Sequence, residues 1–243
     1  MRSGPERRTL LTCLLFVSLA APAAGQVAFT EVTASAGLAG PVYSSPTYHS
    51  LGPIWIDYDD DGRPDLFLVN GKGAGFRAHL YHNEGDGTFA NADTLLPALP
   101  DVDMSGSIFA DYDNDGDRDI YIYTDNEQFD INGYNEPDGP ANILLKNLWV
   151  ENGGAPSTPL FVDVAAAAGV DVIADPPFGP DYPGMRAKTA GFVDYDRDGC
   201  VDLYVGNMVL QDAGDPANAD LLFRNGCDGT FTDVSVSSNV QSG

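Results

Sequence analysis

The chain has 243 residues and carries 36 acidic against 12 basic residues, a formal net charge of −24. This excess excludes ordinary nucleic-acid binding, because surfaces that bind phosphate backbones are basic. Since hydrophobic residues still make up 43% of the chain, the composition argues against disorder and favours bound cations that offset the repulsion between carboxylates.

Residues 1–25 have the pattern of a secretory signal peptide. Three arginines among the first eight residues precede an apolar run, Leu10–Ala21, and the Ala-x-Ala that follows favours cleavage after Ala23, with Gly25 as the alternative. Removing the three arginines and one glutamate of this segment leaves 9 basic and 35 acidic residues. We therefore predict an exported protein, secreted or at the cell surface, with no transmembrane segment in the mature chain.

An acidic stretch occurs three times, at residues 57–70, 111–124 and 194–207. Each copy has aspartate at positions 1, 3, 5 and 9 and glycine at position 6, and each then becomes β-branched and aromatic. Calcium takes six to eight oxygen ligands, which alternate side chains of a tight loop can supply, and position 7 varies as expected of a residue that contributes only its backbone carbonyl. The predicted calcium ligands are Asp57, Asp59, Asp61, Arg63 and Asp65; Asp111, Asp113, Asp115, Asp117 and Asp119; and Asp194, Asp196, Asp198, Cys200 and Asp202.

Two other readings of these loops fit less well. An EF-hand requires a glutamate at position 12 and flanking helices. Position 12 is instead Leu68, Ile122 or Val205, and the β-branched and aromatic residues around it favour a strand. A merely solvated acidic turn would not repeat four aspartates and a glycine at fixed positions.

The sequence on either side of each loop also repeats. One unit reads strand, calcium loop, strand, variable loop, strand, turn, strand, and "GDGT" or "CDGT" in the last turn of the first and third copies is a strong hairpin signal. We predict three blades at about 54–93, 107–164 and 190–234, and an extra strand at about 28–33.

These motifs resemble the FG-GAP/VCBS repeats. The resemblance is carried by the "DxDxDGxxDL" loops, the "NxGDGTF" hairpin and the tails "FTEVTASAGLAG" at 29–40 and "FVDVAAAAGV" at 161–170. Such repeats form integrin α-subunit β-propellers and occur in bacterial exported proteins, here most similar to the branch related to cartilage acidic protein. The resemblance implies an all-β β-propeller over residues 26–243, with one calcium ion (Ca²⁺) in the loop between strands one and two of each blade, about three sites in all.

Three blades do not close a propeller, which usually has four to eight. We therefore expect the strand at 28–33 to belong to a closing blade, and further blades or a longer chain, with assembly of several short chains as the alternative.

The sequence favours an extracellular binding or adhesion module for a protein or carbohydrate. The alternative is the propeller portion of a larger secreted enzyme, such as a polysaccharide lyase or hydrolase. The chain has neither a Gly-x-Ser-x-Gly nor a His-Glu-x-x-His motif, so we predict no catalytic residues. His79 and His82 stand three apart on a strand and should face opposite sides, which argues against a shared metal and for packing.

Other repeated or paired residues indicate structural contacts. The tyrosine at loop position 2 recurs as Tyr58, Tyr112 and Tyr195 and is predicted to pack one blade on the next. The two cysteines of the mature chain, Cys200 and Cys227, are predicted to form a disulfide, because loops after strands one and three lie at the same end of a meander.

The ligand is predicted to bind at the face opposite the calcium loops. Long loops near 36–53, 125–141 and 165–189 should share that face, and long loops on a rigid scaffold commonly carry binding. Their aromatic residues are Tyr43, Tyr48, Phe129, Tyr134, Phe178 and Tyr182.

Overall fold

The structure is a computed structural model, and it describes residues 28–38, 52–70, 78–100, 102, 104–124, 141–171, 187–207 and 220–240. The chain divides into two compact units, Met1–Val32 and Thr33–Gly243. The predicted signal peptide and the aromatic residues of the three long loops lie outside the described residues. No helix in the described part of the chain is long and apolar enough to cross a membrane.

The predicted all-β fold is confirmed: the second unit contains three four-stranded antiparallel sheets, each an open blade whose strands pair in chain order. Blade 1 consists of β1 (Pro53–Ile56), β2 (Asp65–Leu68), β3 (His79–Asn83) and β4 (Phe89–Asn91); blade 2 of β5 (Met104–Ala110), β6 (Asp119–Thr124), β7 (Ile143–Asn147) and β8 (Phe161–Asp163); blade 3 of β9 (Ala187–Val193), β10 (Asp202–Asn207), β11 (Leu221–Asn225) and β12 (Phe231–Asp233). Among the described residues, the helical ones are a 3₁₀ turn, Asp93–Leu95, and one helical turn, α1 (Ala165–Ala168).

Each acidic loop connects the first two strands of its blade. The last residue of the first strand pairs with the ninth loop residue, as in Ile56 with Asp65 and Ala110 with Asp119. The strand partner therefore fixes the position of the ninth aspartate, and the eight residues between the paired ends form a closed loop.

Both faces of blade 2 are buried. Along β6, Ile120 and Ile122 pack with Phe67 and Leu80 of blade 1, whereas Tyr121 between them packs in a second apolar cluster shared with blade 3. This alternation follows the two-residue period of a strand. Blade 2 is consequently the central layer, with a hydrophobic core on each side of it.

The position-2 tyrosines pack between blades, as predicted for the first two copies. The rings of Tyr58 in blade 1 and Phe161 in blade 2 lie 6.3 Å apart, and the rings of Tyr112 and Phe231 lie 5.9 Å apart in a stacked arrangement between blades 2 and 3. Tyr195 of the third copy is 41% exposed.

A side-chain amide joins the blades beside each of these ring contacts. The Nδ2 of Asn147 donates to the backbone oxygen of Tyr58 at 2.7 Å, and the Nδ2 of Asn225 donates to the backbone oxygen of Tyr112 at the same distance. Both asparagines end the third strand of their blade, so strand three of one blade is tied to the acidic loop of the blade before it.

The expectation of a strand at 28–33 is wrong. Residues 28–32 form no strand, and Thr33–Gly37 form a turn. A strand requires a hydrogen-bonded neighbour, but none of the three described sheets includes this segment, and Phe29 is 96% exposed. The turn instead meets blade 1, where the Phe89 amide donates to the backbone oxygen of Ala36 at 2.8 Å.

The predicted disulfide is confirmed, because Cys200 and Cys227 are bonded with their Cα atoms 5.7 Å apart. It links the third acidic loop to the turn between β11 and β12. Both connections lie at the same end of the blade, which is the geometric reason for the prediction.

Reduction of this disulfide is expected to destabilise the protein by about 3 kcal/mol, because a cross-link between residues 27 apart restricts the unfolded chain. Urea unfolding of the oxidised protein and of the Cys200→Ser/Cys227→Ser variant would measure the difference. Equal midpoints would show that the bridge contributes no stability.

Candidate metal centres

The acidic loops are shaped by their own first aspartate. The two oxygens of Asp57 accept hydrogen bonds from the amides of Asp61 and Gly62 at 3.1 and 3.0 Å, and Asp194 does the same for Asp198 and Gly199. These turns require a positive φ at position 6, which is 83° at Gly62 and 96° at Gly199. Glycine adopts this conformation without steric cost.

The ninth aspartate holds the loop to two strands. Asp119 has no exposed surface and accepts hydrogen bonds from the amide of Tyr112 at 3.1 Å and that of Asn147 at 2.9 Å. The same pair of bonds recurs at the other two copies, from Tyr58 and Asn83 to Asp65 and from Tyr195 and Asn225 to Asp202. Position 9 therefore has a structural function that the sequence pattern did not indicate.

The aspartates at positions 1, 3 and 5 converge in the first two loops. Carboxylate oxygens of Asp57, Asp59 and Asp61 all lie within 4.8 Å of one another, as do those of Asp111, Asp113 and Asp115. Among the described residues, five buried carboxylate oxygens have no hydrogen-bond partner: Asp59 Oδ1, Asp111 Oδ1, Asp113 Oδ1, Asp115 Oδ2 and Asp117 Oδ1.

Such oxygens fit a hard cation. Burying a carboxylate oxygen without a donor is costly, and several of them pointing together would repel one another. The aspartates at positions 1, 3 and 5 offer oxygen atoms, which are the donors that calcium and magnesium take. The loops thus have the donor atoms, the convergence and the uncompensated charge of a cation site.

The third loop is more open than the other two. The side chains of Asp196 and Asp198 are 25% and 28% exposed. Asp194 shapes the loop and Asp202 holds it to the strands, as in the other copies.

A basic side chain from the third strand reaches each loop, which sequence reasoning missed. Lys146 Nζ contacts Asp113 and lies 3.2 Å from Asp115. Arg224 Nε lies 2.8 Å from Asp196. The signal was present in the sequence, because the residue before the strand-three asparagine is His82, Lys146 or Arg224.

The two histidines of β3 do face different partners, as predicted. His79 Nδ1 lies 2.8 Å from Asp93, whereas His82 Nδ1 lies 3.4 Å from Asp59 and 3.3 Å from Asp65. His82 is therefore not only a packing residue, since it belongs to the first acidic cluster.

The residues at position 7 tie each loop to the end of its blade's third strand or to the turn after it. Arg63 Nε donates to the backbone oxygen of Asn83 at 2.9 Å, Cys200 forms the disulfide with Cys227, and Asp117 accepts from the amide of Val150 at 3.0 Å. Their chemistry differs because each copy makes this connection in a different way. The backbone-carbonyl role predicted for them stays a prediction.

Burial makes the inner carboxylates hard to ionise in the protein without a cation. Desolvation raises the pKa of Asp65 to about 6 and that of Asp119 to about 8, although backbone N–H donors oppose the shift. The pKa of Asp117 is raised to about 7, again mainly by desolvation.

The calcium-free protein is therefore expected to lose stability as the pH rises from about 5 to 8. A carboxylate whose folded pKa exceeds its unfolded value contributes stability below the unfolded pKa, and that stability is lost as pH rises through the folded pKa. Thermal midpoints of demetallated protein at pH 5, 6, 7 and 8 would test this. A midpoint that increases towards pH 8 would contradict it.

Comparison with known proteins agrees with the repeated unit. A family model described as FG-GAP-like repeat matches residues 38–122, a range that includes blade 1, β5, the second acidic loop and the first four residues of β6. No curated protein matches the chain significantly. Blades 2 and 3 repeat the same loop, the same ninth aspartate and the same strand-three asparagine. The chain therefore contains an FG-GAP-like repeat at residues 38–122, and blades 2 and 3 have the same loop geometry.

Proposed function

We propose that this is an exported calcium-binding repeat protein that acts as an extracellular binding or adhesion module, with calcium stabilising its blades. The observation that supports calcium binding best is the convergence of Asp111, Asp113 and Asp115, in which one buried oxygen of Asp111 and one of Asp113 have no hydrogen-bond partner among the described residues. Their mutual distances suit a single ion. Aspartates at alternate positions of a glycine turn are ligands that calcium accepts readily.

The ion would supply charge compensation and a rigid loop. The main candidate ligands are the carboxylates at positions 1, 3 and 5, with the ninth aspartate available through its remaining lone pairs. Because the position-2 residues of the first two loops are bonded to the next blade, a rigid loop also keeps neighbouring blades in register. Calcium would thus order the scaffold rather than react with a substrate.

We propose binding rather than catalysis as the activity. General acids are commonly buried carboxyl groups of raised pKa, and Asp65, Asp119 and Asp202 have these properties. Each of them already accepts two backbone hydrogen bonds that hold the loop to its strands. This structural use supports a scaffold whose long loops bind an extracellular protein or carbohydrate.

The test is a binding screen with protein that has been expressed in cells and purified after its export. Labelled protein would be applied to arrays of polysaccharide fragments and of extracellular-matrix proteins, with calcium present. We expect retention on at least one array, and we expect Tyr134→Ala and Tyr182→Ala to weaken it while the calcium content stays unchanged. Failure to export the protein, or no retention on either array, would contradict the proposal.

A further inference from the structure

The second acidic loop has two carboxylates that the other loops lack at the equivalent places. Asp117 stands at position 7, where the sister loops have Arg63 and Cys200. Glu151 lies in the connection after β7, residues 148–160, which is longer than the five-residue turns 84–88 and 226–230 of blades 1 and 3. Carboxylate oxygens of Asp115, Asp117 and Glu151 lie within 4.8 Å of one another.

Asp117 is directed into this cluster with one oxygen unsatisfied. The residue is 4% exposed, and its Oδ2 accepts from Val150, but its Oδ1 is buried without a hydrogen-bond donor among the described residues. Burial of an ionised oxygen in this way is costly unless a cation or a donor faces it.

The nearby lysine does not satisfy Asp117. Lys146 Nζ lies 2.7 Å from Glu151 Oε1 and 3.2 Å from Asp115 Oδ2, and it also contacts Asp113. No described basic group lies within ion-pair distance of Asp117. One lysine thus contacts three carboxylates and leaves the fourth, most buried one uncompensated.

The turn that carries Glu151 is well ordered by its own hydrogen bonds. The amide of Asn152 donates to the backbone oxygen of Leu148 at 3.0 Å, and that of Gly154 donates to Trp149 at 2.8 Å. The amide of Trp149 in turn donates to Asn147 Oδ1 at 3.1 Å. Glu151 is therefore presented to the loop by a folded turn.

We propose that blade 2 holds a second divalent cation, bound by Asp115, Asp117 and Glu151 beside the principal loop site, with Asp115 shared between the two ions. The proposal rests on the proposed calcium binding at the principal loop. The ligands are oxygens only, so the site takes a hard cation such as calcium. The ion would strengthen the connection that Asp117 already makes with Val150, at the place where blade 1 uses Arg63 and blade 3 uses the disulfide.

The number of bound calcium ions per chain tests the second site. The exported protein and its variants would be dialysed against the same free calcium concentration at constant ionic strength, and bound calcium would be measured by elemental analysis. We expect four ions per chain in the unmodified protein and three in Glu151→Gln. Because Glu151 is 40% exposed, this variant should fold normally.

Two further variants make the result specific. Asp117→Asn keeps an acceptor for the Val150 amide and should also bind three ions. The control, Glu84→Gln, removes a charge from an exposed residue of blade 1 and should bind four. Equal binding by the unmodified protein and Glu151→Gln, or loss of two ions in Glu151→Gln, would overturn the separate second site. Absence of calcium from all of these proteins would overturn the proposed function as well.

Discussion

Removal of calcium is expected to lower the thermal unfolding midpoint by roughly 15–30 °C. A ligand at 100 times its dissociation constant stabilises the folded state by about 2.7 kcal/mol per site, and three such sites give about 8 kcal/mol. For a chain of this size, each kcal/mol shifts the midpoint by about 2–4 °C. The physical source is the repulsion among carboxylates such as Asp111, Asp113 and Asp115, which converge without enough positive charge.

The control for this measurement is ionic strength. Surface repulsion between carboxylates is also reduced by salt, so the calcium-free sample would contain sodium chloride that matches the ionic strength of the calcium sample. Re-addition of calcium should restore the original midpoint. Midpoints that agree within about 2 °C with and without calcium would show that the ions are not part of the folded structure.

Replacement of Asp119 by alanine is expected to destabilise the protein by about 2–6 kcal/mol even without calcium, because two buried amides lose their acceptor at about 1–3 kcal/mol each. The amides are those of Tyr112 and Asn147, and Asp119 itself is completely buried. Urea unfolding in calcium-free buffer would measure this structural contribution separately from ion binding.

The matched variant is Asp119→Asn, which has nearly the same shape, keeps one oxygen acceptor and removes the buried charge. In calcium-free buffer at pH 8 it should cost much less than Asp119→Ala, because burial raises the pKa of Asp119 to about 8 and so disfavours its ionised form. In excess calcium the stability cost of Asp119→Asn should be larger than in calcium-free buffer, since the ion favours the carboxylate that this variant lacks. Glu84→Ala, at an exposed site, should change stability by less than about 0.5 kcal/mol. Equal effects of Asp119→Ala and Glu84→Ala would contradict the assigned role.

The blade structure could be predicted from the sequence because each signal is local. The two-residue alternation in β6, the Asp-Gly turns and the spacing of Cys200 and Cys227 all reflect contacts within one blade. The inter-blade role of Tyr58 could be predicted for a different reason, which is that a residue repeated in every unit is expected to meet the next unit.

The remaining contacts join residues that are far apart in the sequence, so no local sequence pattern predicts them. The bond from Asn147 to the backbone of Tyr58 joins residues 89 apart, and the connections of position 7 use three different chemistries in three copies. Glu151 lies in an insertion that has no counterpart in the repeats. The strand expected at 28–33 fails for the opposite reason, because its local pattern favours a strand but no described sheet pairs with it.

The most direct test of the calcium assignment is a count of ions lost with a single loop carboxylate. Bound calcium would be measured after dialysis of the unmodified protein and of Asp113→Asn, which alters an aspartate whose buried Oδ1 has no hydrogen-bond partner in the described part of the chain. We expect at least three ions per chain, and one fewer in the variant. Less than one ion per chain at millimolar free calcium, or an unchanged number in Asp113→Asn, would contradict the assignment of the acidic loops as calcium sites.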